Sequence, residues 1–158
     1  MATPDGRVTR PMLARVREAL FNILAPRIVG AHVADCFSGT GAIGLEALSR
    51  GAAHVDFFES GRHVLGHLER NIARLGVDKR ATLHRAKLPA ALKLGQPWDL
   101  IIIDQPWTLS LGQPVVEALL AGGHVKADAS IVLSERKGFE LDDNTWFGLD
   151  LDVRDRRR

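Results

Sequence analysis

The sequence predicts an α/β fold: a doubly wound, mostly parallel sheet with helices on both faces. Three observations carry that expectation. A short β-prone run ending in Asp35-Cys36-Phe37 breaks into Gly39-Thr40-Gly41-Ala42-Ile43-Gly44 and continues with helix formers. Such a strand, glycine turn and helix N-terminus can hold a polar ligand against free backbone N–H groups. Strand and helix patterns alternate along the chain, as they do in βαβ units. Finally, Leu100-Ile101-Ile102-Ile103 runs without polar alternation, the mark of a central parallel strand covered on both faces.

Residues 1–10 hold Pro4, Gly6 and Thr9 with no apolar period and read as a flexible basic arm. Beyond them Met12, Leu13, Val16, Ala19, Leu20, Ile23 and Leu24 recur at three- and four-residue steps. That spacing is an amphipathic helix, opened by Pro11 and stopped by Pro26. Arg15, Arg17 and Glu18 then face water or a ligand over the sheet edge. The first strand covers residues 33–37, and the helix after the glycine turn runs from Ala42 to a close near Arg50-Gly51. A second strand over 54–59 ends on Glu59. A long helix follows over 62–75, with Val64, Leu65, Leu68, Ile72 and Leu75 on one face and Gly76 at its end. Residues 81–85 make a third strand, and 87–94 a short helical or irregular piece interrupted by Pro89. The fourth strand spans 98–104. Helical pattern returns over 114–120 and stops at Gly122-Gly123, 130–135 is another strand, and 145–153 offers one more before an arginine tail.

A chain of 158 residues with 46% hydrophobic and 25% charged residues is an ordinary globular protein of one domain. Its single cysteine, Cys36, excludes a disulfide framework within the chain and sits in a buried-looking strand, where it packs rather than reacts. No stretch reaches the roughly 18 apolar residues of a membrane span, and the N-terminus lacks an apolar signal core, so a cytoplasmic protein without membrane contact is expected. Net charge is only +2, but Arg7, Arg10, Arg15 and Arg17 crowd the first helix and Arg154, Arg156, Arg157 and Arg158 end the chain. The guanidinium fork suits phosphate, although a solvated helix face and tail would read the same way.

In an open parallel sheet the ligand lies beyond the carboxyl ends of the strands, at the switch in strand order. Three groups converge there: the turn over 35–44, Glu59, and Asp104-Gln105-Pro106-Trp107. A carboxylate at Glu59 can accept both hydroxyls of a ribose. The tetrapeptide suits an enzyme that methylates the exocyclic amine of a flat base. Asp104 and the main chain at Gln105 would accept hydrogen bonds from the amine and aim its lone pair. Pro106 stiffens the turn, and Trp107 supplies a stacking face worth roughly 1–3 kcal/mol. A nicotinamide enzyme has no need of such a tetrapeptide, and no His, Tyr or Lys set stands beside the turn. His63 and His67 share an i, i+4 spacing but lack a nearby cysteine or an HExxH frame, so they read as a solvated helix face and no metal is expected.

At these residues the sequence resembles the bacterial methyltransferases that modify a guanine exocyclic amine (guanine-N2) in 16S ribosomal RNA. The resemblance runs through Arg15-Val16-Arg17-Glu18-Ala19-Leu20-Phe21-Asn22-Ile23-Leu24, the block over 35–52, Glu59, Asn71 and the Asp104 tetrapeptide, and covers nearly the whole chain. It implies a class I, Rossmann-like methyltransferase domain over residues 11–158, using S-adenosyl-L-methionine. It further implies that Asp35, Phe37, Gly39 and Gly41 border the methionine part of the donor, with Ser38 and Ser60 in the same cofactor-binding set. Glu59 would bind the ribose, and Asp104 to Trp107 the target base. Arg7, Arg10 and Arg15 would contact RNA, the partner being ribosomal RNA or a small-subunit assembly particle met by a monomer.

This chain departs from the family pattern at ligand-facing positions. Members commonly read Arg-Pro-Thr-x-Asp where Arg10-Pro11-Met12-Leu13-Ala14 stands here. They carry an aspartate near the donor's adenine where Lys87 stands, and Asp-Pro-Pro-Tyr where Gln105 replaces the first proline. Loss of one ligand hydrogen bond costs about 0.5–1.5 kcal/mol if water replaces it. The family's N-terminal basic hairpin and final strand are not expected here. The alternative is therefore a catalytically degenerate RNA- or nucleoside-binding module on the same fold.

Overall fold

The computed structural model describes residues 14–94, 96–106 and 108–134. Its strands are β1 (His32–Cys36), β2 (His54–Phe58), β3 (Ala81–His84), β4 (Trp98–Ile103) and β5 (Val125–Leu133). They form one sheet in the order β3-β2-β1-β4-β5, with every neighbouring pair parallel. Helices α1 (Ala14–Ile28), α2 (Ala42–Ser49), α3 (Arg62–Leu75) and α4 (Gly112–Ala121) alternate with the strands, and short 3-10 turns lie at Asp78–Arg80 and Ala90–Leu94. The chain moves outward from β1 to β3, then crosses back to β4 and β5. The doubly wound sheet is as the sequence predicts, and its switch in order falls between β1 and β4.

Alternation along the strands builds two cores. On one face Val33, Val55, Phe57, Leu100 and Ile102 meet Phe21, Leu48, Leu68 and Ile72 of α1, α2 and α3. On the other, Ala34, Cys36, Phe58, Ile101 and Ile103 meet Val115, Val116 and Leu119 of α4. Both faces of β4 are covered, which is why its isoleucines run without polar interruption.

Several boundaries differ from the sequence reading. Helix α1 passes through Pro26 to Ile28 instead of stopping there. Pro26 lies on the exposed side, while Leu24 and Ile28 hold the last turn in the core. Leu75 is 58% exposed rather than on the buried face of α3, whereas Asn71, on the same stripe, is 2% exposed. Strand β5 begins at Val125 rather than at residue 130, because pairing resumes at Trp98 and Val125 across an irregularity while Lys126, Ala127 and Asp128 stay exposed. The arm over 1–10, the helix start over 11–13 and the strand over 145–153 lie outside the described residues. No described helix is long and apolar enough to cross a membrane.

The register positions the site. Cys36 pairs with Phe58 on one side and Ile103 on the other, so Phe37, Glu59 and Asp104 leave the sheet at one level.

Candidate active site

The turn after β1 is held from four directions. Phe37 adopts φ +64°, a conformation L side chains rarely take, and such strain collects at functional sites. The Ser38 N–H donates to Phe58 O at 3.0 Å, and its hydroxyl donates to Asp35 O at 2.7 Å with Phe58 O 3.2 Å away. That hydroxyl ties the turn to β1 and β2 rather than facing a ligand. Gly39 N–H donates to Glu59 Oε2 at 2.8 Å, and Asn71 Nδ2 reaches from α3 to Thr40 O at 3.0 Å. Gly44 N–H donates to Asp35 Oδ2 at 2.9 Å, which docks the first turn of α2 on β1.

The glycines divide by what a side chain would meet. At Gly39, φ +55°, a Cβ would touch nothing within 4 Å, so open space adjoins the backbone there. At Gly41, φ +87°, a Cβ would stand 2.5 Å from Leu68 Cδ1, and at Gly44 one would stand 2.3 Å from Phe57 Cε1. The motif therefore serves two ends: Gly39 leaves room for a ligand, while Gly41 and Gly44 let α2 and α3 close on the sheet.

Asp35 is the electrostatic centre. It is 1% exposed, and its Oδ1 has no hydrogen-bond partner among the described residues. Burial pushes its carboxyl up to about 7; the Gly44 N–H opposes this, and the negative charges of Asp104 and Glu59 add to it. Asp104, at the exit of β4, is also raised, by burial, with a hydrogen bond to Ser134 acting the other way. Burial pushes the Cys36 thiol up as well, leaving an inert packing residue. Asp35 thus has two negative neighbours in Asp104 and Glu59 and one buried oxygen without a hydrogen-bond partner among the described residues.

Gln105 is 3% exposed, and its Oε1 accepts the Leu111 N–H. Its side chain thus turns inward to close the loop before α4, while the acceptor expected at this residue is its main chain. Pro106 is exposed, and its carbonyl accepts the Leu109 N–H at 2.9 Å in a tight turn. Trp107 lies outside the described residues, as do Arg7 and Arg10. Arg15 is exposed on the first turn of α1. Ser60 N–H donates to Glu59 Oε1 at 2.8 Å, and Lys87 is exposed with its carbonyl accepting the Ala91 N–H.

Sequence reasoning gave no role to two groups of buried polar residues. Asn71, named above only among the residues that carry the resemblance, is marked as the one polar residue on the stripe of Val64, Leu68 and Leu75. Asp56, inside the apolar run of β2, accepts from His84 Nε2 and Trp98 Nε1, each at 2.7 Å, and Phe58 stacks on His84 with centroids 4.5 Å apart. Burial raises the Asp56 carboxyl, but the bonds from His84 and Trp98 outweigh it and hold the group below the usual carboxylate range.

Comparison with known proteins finds relatives in sequence and in fold. A family model described as conserved hypothetical protein 95 matches residues 1–149. Ribosomal RNA small subunit methyltransferase D of Escherichia coli (strain K12) is 37% identical over 131 residues, 83% of this chain and 66% of that protein. The protein of the same name from Haemophilus influenzae is 32% identical over 136 residues, 81% of this chain and 68% of its own length. Among solved structures, a putative methyltransferase, yhhF, from Escherichia coli superposes with a TM-score of 0.70 at 36% identity, covering 83% of this chain and 71% of that one. This chain spans about two thirds of the length of these curated relatives. On the match over residues 1–149 the chain is a member of the conserved hypothetical protein 95 family, and it is similar in sequence to the ribosomal RNA small subunit methyltransferase D proteins.

Proposed function

We propose that the crevice binds S-adenosyl-L-methionine and that the protein methylates the exocyclic amine of a guanine in 16S ribosomal RNA. The observation that carries this reading is the unpartnered Oδ1 of Asp35, buried within the field of Glu59 and Asp104. A buried carboxylate with an unmet oxygen and negative neighbours calls for a cationic ligand. The donor's ammonium and sulfonium groups meet that demand, and the open wall at Gly39 gives the ligand room.

S-adenosyl-L-methionine, when bound, would supply an electrophilic methyl group, with S-adenosylhomocysteine as its product. Every other part of the work falls to this chain. Asp35 would hold the ammonium group, the Gly39 turn would border the methionine chain, and Glu59 would accept from the ribose. Asp104 accepts a hydrogen bond from the guanine amine and aims the nitrogen lone pair, with Pro106 fixing the turn and Trp107 as the stacking partner. The proton the amine loses passes to solvent water, so orientation matters more than a strong base. Arg15, with Arg7 and Arg10, contacts the RNA backbone. The partner is ribosomal RNA or a small-subunit assembly particle, met in the cytoplasm by a monomer.

Methylation of small-subunit RNA by Asp104→Ala, beside a titration with S-adenosylhomocysteine, tests the assignment. The expected result is loss of methyl transfer with nucleoside affinity kept within about threefold, since only the target amine loses its acceptor. Full turnover in that variant contradicts the role. Binding of RNA by the wild type without any methyl transfer would instead identify a degenerate binding module.

A further inference from the structure

Glu59 does more than wait for a ribose. Its Oε2 accepts the Gly39 N–H at 2.8 Å, while its Oε1 accepts the N–H groups of Ser60 at 2.8 Å and Gly61 at 2.6 Å. A Cβ on Gly61 would lie 3.0 Å from that same Oε1, so the backbone is drawn close around the carboxylate at the start of α3.

A carboxylate offers about four acceptor positions, two on each oxygen. Both positions on Oε1 and one on Oε2 are already filled by main-chain donors. We infer that Glu59 is a clamp joining the end of β2 to the glycine turn, and that it leaves a single acceptor position, on Oε2, for the nucleoside. Only one of the two ribose hydroxyls then receives a charge-assisted hydrogen bond from it. The position that remains is on the oxygen bonded to Gly39, the residue whose missing side chain opens the crevice.

The consequence is a built-in asymmetry in nucleoside recognition. A carboxylate free of backbone donors grips both hydroxyls alike, so that removing either weakens binding. Here the loss of one hydroxyl removes a charge-assisted bond and the loss of the other removes none. The clamp also predates the ligand, because its three N–H bonds are made by the chain alone.

This inference rests on the nucleoside reading above, and the test separates the two. The full chain is titrated by calorimetry with S-adenosylhomocysteine and with its 2′-deoxy and 3′-deoxy analogues. Amide hydrogen exchange is followed in the free wild type and in Glu59→Gln. One analogue is expected to bind within about threefold of the parent and the other roughly tenfold or more weaker, as the loss of one charge-assisted bond implies. The Gly39, Ser60 and Gly61 amides should be protected in the free wild type. In Glu59→Gln the NH2 group must face one set of those donors, so protection falls at Gly39 or at the Ser60–Gly61 pair. Equal behaviour of the two analogues overturns the single acceptor, and unprotected amides in the wild type overturn the clamp. No binding of the parent compound overturns the nucleoside reading itself and the hydroxyl asymmetry with it, while exchange at Gly39 still decides the clamp.

Discussion

Asp35 and Asp56 lie on adjacent parallel strands, one register step apart, and both are nearly removed from water. They face opposite sides of the sheet, and their surroundings are opposite as well. Both Asp56 oxygens are met, by His84 and Trp98, and its carboxyl is held low. Among the described residues one Asp35 oxygen is unmet, Asp104 and Glu59 place negative charge near it, and its carboxyl is pushed up to about 7. A buried carboxylate whose bonds are all made inside the chain belongs to the scaffold; one left incomplete is a candidate place for a ligand.

Breaking the scaffold member should have the largest effect on stability. Asp56→Ala strands the Trp98 N–H and a His84 ring nitrogen, and each unmet buried group costs about 1–3 kcal/mol. Urea unfolding should show a loss of roughly 3 kcal/mol or more, whereas a loss below about 1 kcal/mol would mean that water replaces the carboxylate. The pH dependence has a definite sign. Because the folded Asp56 carboxyl is held low, its stabilisation is present above the unfolded value of about 4 and is lost as pH falls through the folded one. Asp56→Asn should flatten that acid limb.

The site member should behave in reverse. A folded Asp35 carboxyl near 7 means that stability is greatest below about 4 and falls as pH rises through the folded value. Asp35→Asn should therefore raise stability at pH 8 by about 1–3 kcal/mol and change little near pH 4, read from chemical unfolding at both values. Destabilisation by this variant at pH 8 would show that its unmet oxygen is satisfied in the free protein.

Two glycines sharpen the same contrast on a smaller scale. Gly41→Ala drives a methyl into Leu68 at a left-handed backbone, so roughly 2 kcal/mol of stability should be lost. Gly39→Ala meets no atom and should cost only about 1 kcal/mol through its positive φ, while weakening nucleoside binding more than Gly41→Ala does. Thermal unfolding and calorimetry read the two effects separately, and a reversed order would exchange the roles assigned to the two glycines.

The frame was legible because its signals are local: the Gly39 to Gly44 turn, the acid ending β2 and the apolar run of β4 each fix an element within a few residues. Residue directions in irregular segments were not. Ser38 and Gln105 turn inward because of partners at Phe58 and Leu111, and no pattern in their own neighbourhoods marks that. The Asp56 network joins residues 28 and 42 positions away in sequence, beyond the reach of any periodicity. Pro26 misled because local chemistry argues for a helix end there, whereas burial of Ile28 carries α1 onward.

The central claim is that the unmet oxygen of Asp35 receives a cationic group of the methyl donor. Calorimetric titration of S-adenosylhomocysteine at pH 6 and pH 8, with wild type and Asp35→Asn, measures it directly. A carboxyl near 7 is mostly protonated at the lower pH and mostly ionised at the higher, so wild-type affinity should rise by about tenfold while Asp35→Asn binds weakly at both. Equal wild-type affinity at the two pH values, or undiminished binding by Asp35→Asn, would contradict it.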